Sequence, residues 1–561
     1  MGIPAYYANL INRNPKIMTL IKNKIHTDIL LFDGNSIIYE AYYSIKDEYK
    51  NRSTSYFEEK IFEYVSQKIN EIVDKFIVHQ HVVFFLDGVA PIAKLRQQRE
   101  RRYKSWIRSK VLNESSSWNT CNITPGTHFM NKLDSFLENE FMKLNASSKR
   151  QIKYHMYGSL YAGEGEQKLF DWLRSHYNIN ERRQYKWKEQ VKDKICVYGL
   201  DSDLIMLSLL HQNYFQNIFL YRETPEYISN LHFSLDPDSS YVIYMYNLTK
   251  EITKSIYTKI EYNIKNEYFA VMNYVILFFL LGNDFIPHNP SLCIRNNGVD
   301  TLFKYFNSVE LFQETNEEGV VKPENQLFEI HENEYKVCWR HLNKIFSKLS
   351  ENEYEGIVHH LLSKQEKLTF INSRKYKIPK EKHFENIPIY DNSMESYICN
   401  KDVYKTRFYE SYDTLGHETK MVYEYFKILQ WVLSYYVGDK IEYNYAYPYL
   451  NTPLFSSVKN NIVVSHDEIK FKEMNKTILN PITQLMYVLP KEFHTIIPGN
   501  EYSKIKSNQG IYTNISDYFN SLENNISNVY CGFCRYFFES VIRFKPIDVI
   551  ELNNVIEIVL K

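Results

Sequence analysis

The chain shows no excess charge of either sign, no disulfide-like cysteine pattern, no export signal and no apolar run long enough to cross a bilayer. Lys plus Arg and Asp plus Glu both number 67, so no global field advertises a polyanionic partner, and any nucleic-acid surface has to be local. Seven cysteines, an odd number in 561 residues, argue against a disulfide framework and for a reducing compartment. Cys531 and Cys534 form one CxxC without a second pair near it, which reads as chance spacing rather than a zinc site. The longest apolar stretch, residues 268–281, is broken by Asn273 and is too short to span a membrane. The start, MGIPAYYANL, has no apolar h-region, and Tyr6 stands where a myristoylation signal needs Ser or Thr. These absences describe a soluble intracellular protein with no membrane partner. Without a basic nuclear-import run the cytoplasm is the expected compartment, and the biased composition suits a protist or a large cytoplasmic virus. No internal repeat, low-complexity tract or coiled coil is visible. The 48 tyrosines fit an A/T-rich genome as readily as a stacking role.

What is there begins with KICVYGLDSDLIMLSLL, residues 194–210. An apolar run ends at Gly199, Asp201 and Asp203 follow one residue apart, and an apolar helical pattern starts. Taken alone these acids suit a helix N-terminus. Two further stretches repeat the arrangement: TDILLFDG puts Asp33 after residues 29–32, and HVVFFLDG puts Asp87 after residues 82–86. Such runs read as neighbouring parallel strands buried on both faces, whose carboxyl ends open on one crevice. AGEGEQK adds Glu164 and Glu166, and LGNDFIP adds Asp284 after an apolar segment. Seven carboxylates in one crevice repel one another unless cations neutralise them. Hard oxygen ligands suit Mg²⁺ or Mn²⁺, and this many acids suit two ions and two-metal phosphodiester hydrolysis.

Along the chain, a short helical entry precedes the strand ending at Asp33. Tyr56, Phe57, Ile61, Tyr64, Val65 and Ile69 recur at helical spacing within residues 47–75, giving a crossover helix to the strand ending at Asp87. Next comes GVAPIAKLRQQRERRYKSWIRSK, the one strongly basic segment. On a helix starting after Pro91, Lys94, Gln98, Arg101 and Arg102 share a face, and beside an acidic metal crevice that face suits a terminal phosphate better than plain solvation. Residues 115–122 read as a loop, ITPGTHFM turns into a helix carrying Phe129, Met130, Leu133 and Phe136, and residues 167–176 as a helix. A charged linker is expected over 181–194 and a strand over 217–221. Residues 311–390 are charged and irregular, with a domain boundary among them, and residues 421–437 form an apolar core helix. In YNYAYPYL, Tyr443, Tyr445, Tyr447 and Tyr449 alternate; both a stacking platform for bases and a core strand fit that spacing.

These strings, in their order, resemble the Xrn family of 5′-to-3′ exoribonucleases: MGIPAYY, FDGNSIIY, LDGVAPIAKLRQQRERR, TPGTHFM, AGEGEQK, YGLDSDLIMLSLL and GNDFIPH, then KILQWVLSYYVG and NPITQLMYVLP. The resemblance implies an α/β fold with a parallel-sheet nuclease core, PIN or flap-endonuclease-like, helices on both faces and a mostly helical second region packed against it. It divides the chain into a nuclease core over 1–310, a variable linker region over 311–390 and a second region over 391–561 that supports the active site and RNA channel. It places the family's metal ligands, which are also the catalytic residues, on Asp33, Asp87, Glu164, Glu166, Asp201, Asp203 and Asp284. The 5′-phosphate pocket falls on Lys94, Gln98, Arg101 and Arg102. The implied substrate is single-stranded RNA with a 5′ monophosphate, cleaved by a monomer to nucleoside monophosphates.

The chain departs from the pattern at Tyr39, where the family has a stacking histidine, and at Tyr443 and Tyr445, where it has tryptophans. Tyrosine still offers a ring for base stacking with less area. A compact form without the long C-terminal extension of the large cytoplasmic members is expected. A flap-endonuclease-like DNA nuclease is the rival enzyme, disfavoured because no helix-hairpin-helix glycine motif follows Asp284. An RNA-binding scaffold with a dead site would have lost metal ligands, and none is missing.

Overall fold

In the computed structural model, seven strands form one sheet: β1 (Met18–Leu20), β2 (Ile25–Asp33), β3 (Phe76–Phe85), β4 (Lys153–Tyr157), β5 (Val191–Tyr198), β6 (Phe215–Arg222) and β7 (Tyr241–Tyr244). Their order is β1-β7-β6-β5-β2-β3-β4. β2 to β6 are parallel, whereas β7 lies antiparallel on β6 and β1 antiparallel on β7. The structure describes residues 2–560 except 4, 50–51, 114–117, 148–151, 180–189, 225–227, 374–399, 462–468, 470, 472–477, 508–528, 531–532, 534–535 and 545–546.

Period-two alternation explains the layers. Ile29 and Leu31 of β2, Val83 and Phe85 of β3, and Ile195 and Val197 of β5 face one core. Leu30 and Phe32, Val82 and Phe84, and Cys196 and Tyr198 face the other. Helices Asn35–Ile45, Thr54–Val73 and His128–Ser147 cover the second face. Helices Tyr6–Arg13, Gly165–His176, Asp203–His211, Met245–Ile256 and Glu267–Phe279 cover the first. The same first core takes in Glu418–Val437, whose side chains from Val422 to Val437 are largely buried in it. Pro481–Val488 and Val549–Leu560 pack a smaller core against Ile92 and Leu95 of the basic helix Ile92–Leu112. No helix among the described residues is long and apolar enough to cross a membrane.

Several local expectations need adjusting. The crossover helix is Thr54–Val73, capped by Ser53, whose hydroxyl accepts from Tyr56 N at 3.3 Å. The strand before Asp201 starts at Val191, so Lys192 and Lys194 belong to it rather than to a linker; their side chains leave at the exposed end of β5. Residues 181–189 of that linker, and the Cys531/Cys534 motif, lie outside the described residues. Residues 311–373 are more regular than their composition suggests: a hairpin of Phe328–His331 and Glu334–Val337 leads to helices Trp339–Glu351 and Glu353–Ser373. Trp339, Leu342, Ile345, Phe346 and Leu349 form one buried stripe there, and the charges sit outside it. YNYAYPYL forms no strand.

Candidate active site

Three adjacent strands deliver carboxylates to one place. Asp33 ends β2, Asp87 follows β3 by two residues, and Asp201 and Asp203 follow β5, which pairs with β2 on the side away from β3. Parallel neighbours open their carboxyl ends on the same crevice. Glu164 and Glu166 arrive after β4, at the start of Gly165–His176. Gly165 between them permits the close approach: a side chain there would meet Asp33 Oδ1 at 2.7 Å and Asp87 Oδ1 at 3.4 Å. Its N–H instead donates to Asp87 Oδ1 at 2.7 Å. Asp284 comes from the turn after Glu267–Phe279. Gly2, at φ +50°, seats the start of the chain against Asp203, whose Oδ1 would lie 2.0 Å from a Cβ.

Charge is poorly compensated here. Asp33, Glu164, Glu166 and Asp203 are buried. Burial, then Asp87 and Asp201, push the Asp33 carboxyl well above its ordinary range, and burial, then Asp203 and Glu164, do the same for Glu166. Asp203 is raised to about 7 by burial and by Asp284. Lys94 offsets part of this. Its Nζ lies 2.6 Å from Glu164 Oε1 and 2.7 Å from Asp284 Oδ2. Burial would raise Asp284 and lower Lys94, yet their pairing wins: the carboxyl is held low and the ammonium well above its usual value. A dense set of carboxylates, several of them raised by burial and by mutual repulsion, fits hard divalent cations, whose charge would restore ionisation.

The helix-face reading grouped Lys94 with Gln98, Arg101 and Arg102, and the structure sets Lys94 between that face and the acids. Gln98 and Arg102 are buried. Arg102 Nη1 donates to Tyr39 Oη at 3.1 Å, and its Nη2 donates to Ile123 O and Thr124 Oγ1, both at 3.0 Å. The loop ahead of ITPGTHFM's helix therefore orients this guanidinium. Buried polar atoms of the same face, Gln98 Oε1, Arg101 Nε and Arg102 Nε, find no hydrogen-bond partner among the described residues. Other cations of the helix are engaged: Arg99 lies over Phe544 at 3.9 Å, and Lys110 pairs with Glu492 at 3.0 Å. A channel of about 1910 Å³ runs past Tyr39, Arg101, Arg102 and Asp284.

The three candidate stacking rings sit differently. Tyr39 lines the channel; burial would raise its phenol, but Arg102 and Arg101 hold it below its ordinary value. Tyr443 is half-buried near Glu164, and its carbonyl accepts from Ile92 N at 3.0 Å. Tyr445 is buried. Lys427 lies over its ring at 4.4 Å, Phe471 meets its edge, and its hydroxyl donates to Glu424 Oε2 at 2.9 Å. Protein side chains thus pack around this ring.

Sequence reasoning missed the residues that hold the acids. Tyr435 donates its hydroxyl to Glu164 Oε2, and the neighbouring Tyr436 hydroxyl bonds Asp203. Asn35 Nδ2 donates to Asp87 Oδ2 at 2.6 Å, while its Oδ1 accepts from Asp87 N at 3.1 Å. A tyrosine pair near the end of an otherwise apolar helix, and an Asn two residues after Asp33, were the available signals.

Two family models match most of the chain. The model described as XRN 5′-3′ exonuclease N-terminus matches residues 1–224, and the one described as Xrn1 helical domain matches 264–377 and 399–519. The chain is similar to 5′-3′ exoribonuclease 1 of Homo sapiens, 27% identical over 563 residues that cover 89% of this chain and 31% of that protein. It is 28% identical to 5′-3′ exoribonuclease 1 of Saccharomyces cerevisiae over 350 residues, 57% of this chain and 22% of that protein. It is 26% identical to 5′-3′ exoribonuclease 2 of Candida albicans over 361 residues, 54% of this chain and 36% of that one. The chain therefore spans 22% to 36% of the length of these curated relatives.

Proposed function

Because the chain belongs to the XRN 5′-3′ exonuclease family, we propose that it is a 5′-to-3′ exoribonuclease that shortens 5′-monophosphorylated single-stranded RNA one nucleotide at a time. The observation that carries this reading is the juxtaposition, across Lys94, of a cation-hungry carboxylate crevice and a buried Gln/Arg face with unspent hydrogen-bonding capacity. Two divalent cations, Mg²⁺ or Mn²⁺, held by Asp33, Asp87, Glu164, Glu166, Asp201, Asp203 and Asp284, would supply an activated water and stabilise the leaving oxygen.

The chain's own residues do the rest. Arg101 and Arg102, with Gln98, receive the terminal phosphate through charge-assisted bonds, and Arg102 is pre-oriented by Ile123 and Thr124. Lys94 spans phosphate and acids, so the distance between them sets the one-nucleotide step. A 5′-hydroxyl end would leave these buried donors unpaired, which disfavours it. Tyr39 and Tyr443 stack the leading bases. Tyr435, Asn35 and the Gly165 N–H fix the carboxylates, so that little reorganisation is needed when substrate arrives.

The test is Mg²⁺-dependent digestion of 3′-labelled single-stranded RNA with a 5′ monophosphate or a 5′ hydroxyl, with a DNA flap alongside. Mononucleotide release from the monophosphate RNA alone, abolished in Asp203→Asn, is the expected result. Internal cuts, equal use of both ends or preference for the flap would overturn it.

A further inference from the structure

Beyond the carboxylates, the channel wall carries a cluster of different chemistry. The turn after Asp284 continues into a loop holding His288 and Cys293, and His360 reaches that loop from helix Glu353–Ser373. Nitrogen atoms of the two imidazoles and the Cys293 thiol all lie within 4.8 Å of one another, and the two rings are 6.0 Å apart. We propose that His288, Cys293 and His360 form a zinc site, distinct from the carboxylate crevice, whose fourth position opens to the channel.

The donor set selects the metal. Two imidazoles and a thiolate suit Zn²⁺, whereas Mg²⁺ and Mn²⁺ prefer the oxygen ligands a few residues away. Both imidazoles are hydrogen-bonded to backbone, as metal-ligating imidazoles usually are. His360 Nε2 donates to Phe533 O at 2.8 Å; since a carbonyl only accepts, Nε2 carries the proton and Nδ1 carries the lone pair. His288 is hydrogen-bonded to the backbone of Leu281. Tetrahedral zinc, with Zn–N about 2.0–2.1 Å and Zn–S about 2.3 Å, sets its ligands roughly 3.3–3.6 Å apart. Side-chain adjustments of about 1 Å close the cluster to that size.

The backbone is prepared for it. Gly356 lies one turn before His360 on the same helix face, and a side chain there would meet Ser291 O at 2.6 Å, so loop and helix touch backbone to backbone. Asn289 pins the loop from inside, its Oδ1 accepting from Ser291 N at 3.0 Å and its Nδ2 donating to Pro453 O at 3.2 Å. The Cys293 carbonyl accepts from Gly298 N at 2.9 Å. His288, Cys293 and His360 all border the channel, from which a water completes four-coordination. Bound zinc would tie the turn carrying Asp284 to helix Glu353–Ser373 and so brace one side of the carboxylate crevice.

The test uses the full chain, tag removed, dialysed against a weak chelator and analysed for metal content, then titrated with Co²⁺ as a spectroscopic probe. About one zinc per chain is expected, retained in Asp203→Asn and lost in His360→Gln and Cys293→Ser. The parent with Co²⁺ should show thiolate-to-cobalt charge-transfer absorption that Cys293→Ser does not. The parent titration needs no variant, so it decides the matter even where a substitution unfolds the chain. A parent without zinc and without the thiolate–cobalt band, or both variants keeping full zinc, would overturn the site.

Discussion

Replacing Gly165 by alanine places one methyl group where Asp33 Oδ1 stands 2.7 Å away and Asp87 Oδ1 3.4 Å away. Non-bonded heavy atoms settle at about 3.5 Å, so Asp33 and the helix start must part by roughly 0.5–0.8 Å. Catalytic groups tolerate about 0.5 Å before function suffers, and a displacement near 1 Å costs on the order of 10²-fold. The expected outcome is a single-turnover cleavage rate about 10–100-fold below the parent's on 5′-monophosphorylated RNA at saturating Mg²⁺. Stability should change little. Gly165 opens a helix and lies outside the left-handed region, where alanine gains about 0.4–1 kcal/mol through the unfolded state, offsetting much of the clash. Calorimetry should therefore find Tm within a few degrees of the parent. A G165A variant that cleaves at the parental rate would refute the claim that this close approach sets the carboxylate geometry.

Three further outcomes are expected. Tyr435→Phe removes a hydroxyl donated to a buried carboxylate, worth about 1.5–3 kcal/mol; the Mg²⁺ dependence of cleavage should weaken about tenfold or more while 5′-end preference stays, and an unchanged Mg²⁺ dependence would dismiss its role. Arg102→Lys keeps the charge but loses the fork to Tyr39, Ile123 and Thr124, so preference for a 5′ monophosphate over a 5′ hydroxyl should fall about 5–100-fold; equal preference in variant and parent would remove Arg102 from the pocket. His81, 3.0 Å from His155 and edge-to-face with His176, is lowered to about 4 by burial, then by His176 and His155. Between pH 6.5 and 4 the unfolded chain therefore binds more protons than the folded one at this site, and its stabilising contribution is lost as pH falls through that window. Relative to the parent, His81→Gln should lose less Tm between pH 7 and pH 5, and parallel Tm curves would contradict this.

The sheet and its acids were legible because their determinants are local. Apolar runs buried on both faces leave a period-free signature, and each run terminates in its own carboxylate, so β2, β3 and β5 announce both strand and site. That Lys94, Gln98, Arg101 and Arg102 share one side of the basic helix followed from spacing alone. Tyr435 and Tyr436 were hidden because only tertiary packing decides which rim of an apolar helix meets Glu164 and Asp203, about 230–270 residues earlier in the chain. The pairing of Lys94 with Glu164 and Asp284 was equally non-local. Tyr443 and Tyr445 differ in surroundings though they are two residues apart, since the packing of Tyr445 depends on Lys427 and Phe471. Residues 311–373 looked irregular because composition averages the buried stripe of Trp339–Glu351 with its charged exterior.

That Glu164 waits for Tyr435 also sets a clock. A ribosome has made every carboxylate of the crevice once it passes Asp284, but the hydroxyl that steadies Glu164 emerges about 150 residues later, and Leu485 and Met486, which back the basic helix, later still. At roughly 5–20 residues per second this interval lasts on the order of 8–30 s. During it the nascent chain carries its ligands without the wall that orients them. The crevice would thereby lack the wall that steadies it until Tyr435, and then Leu485 and Met486, have been made.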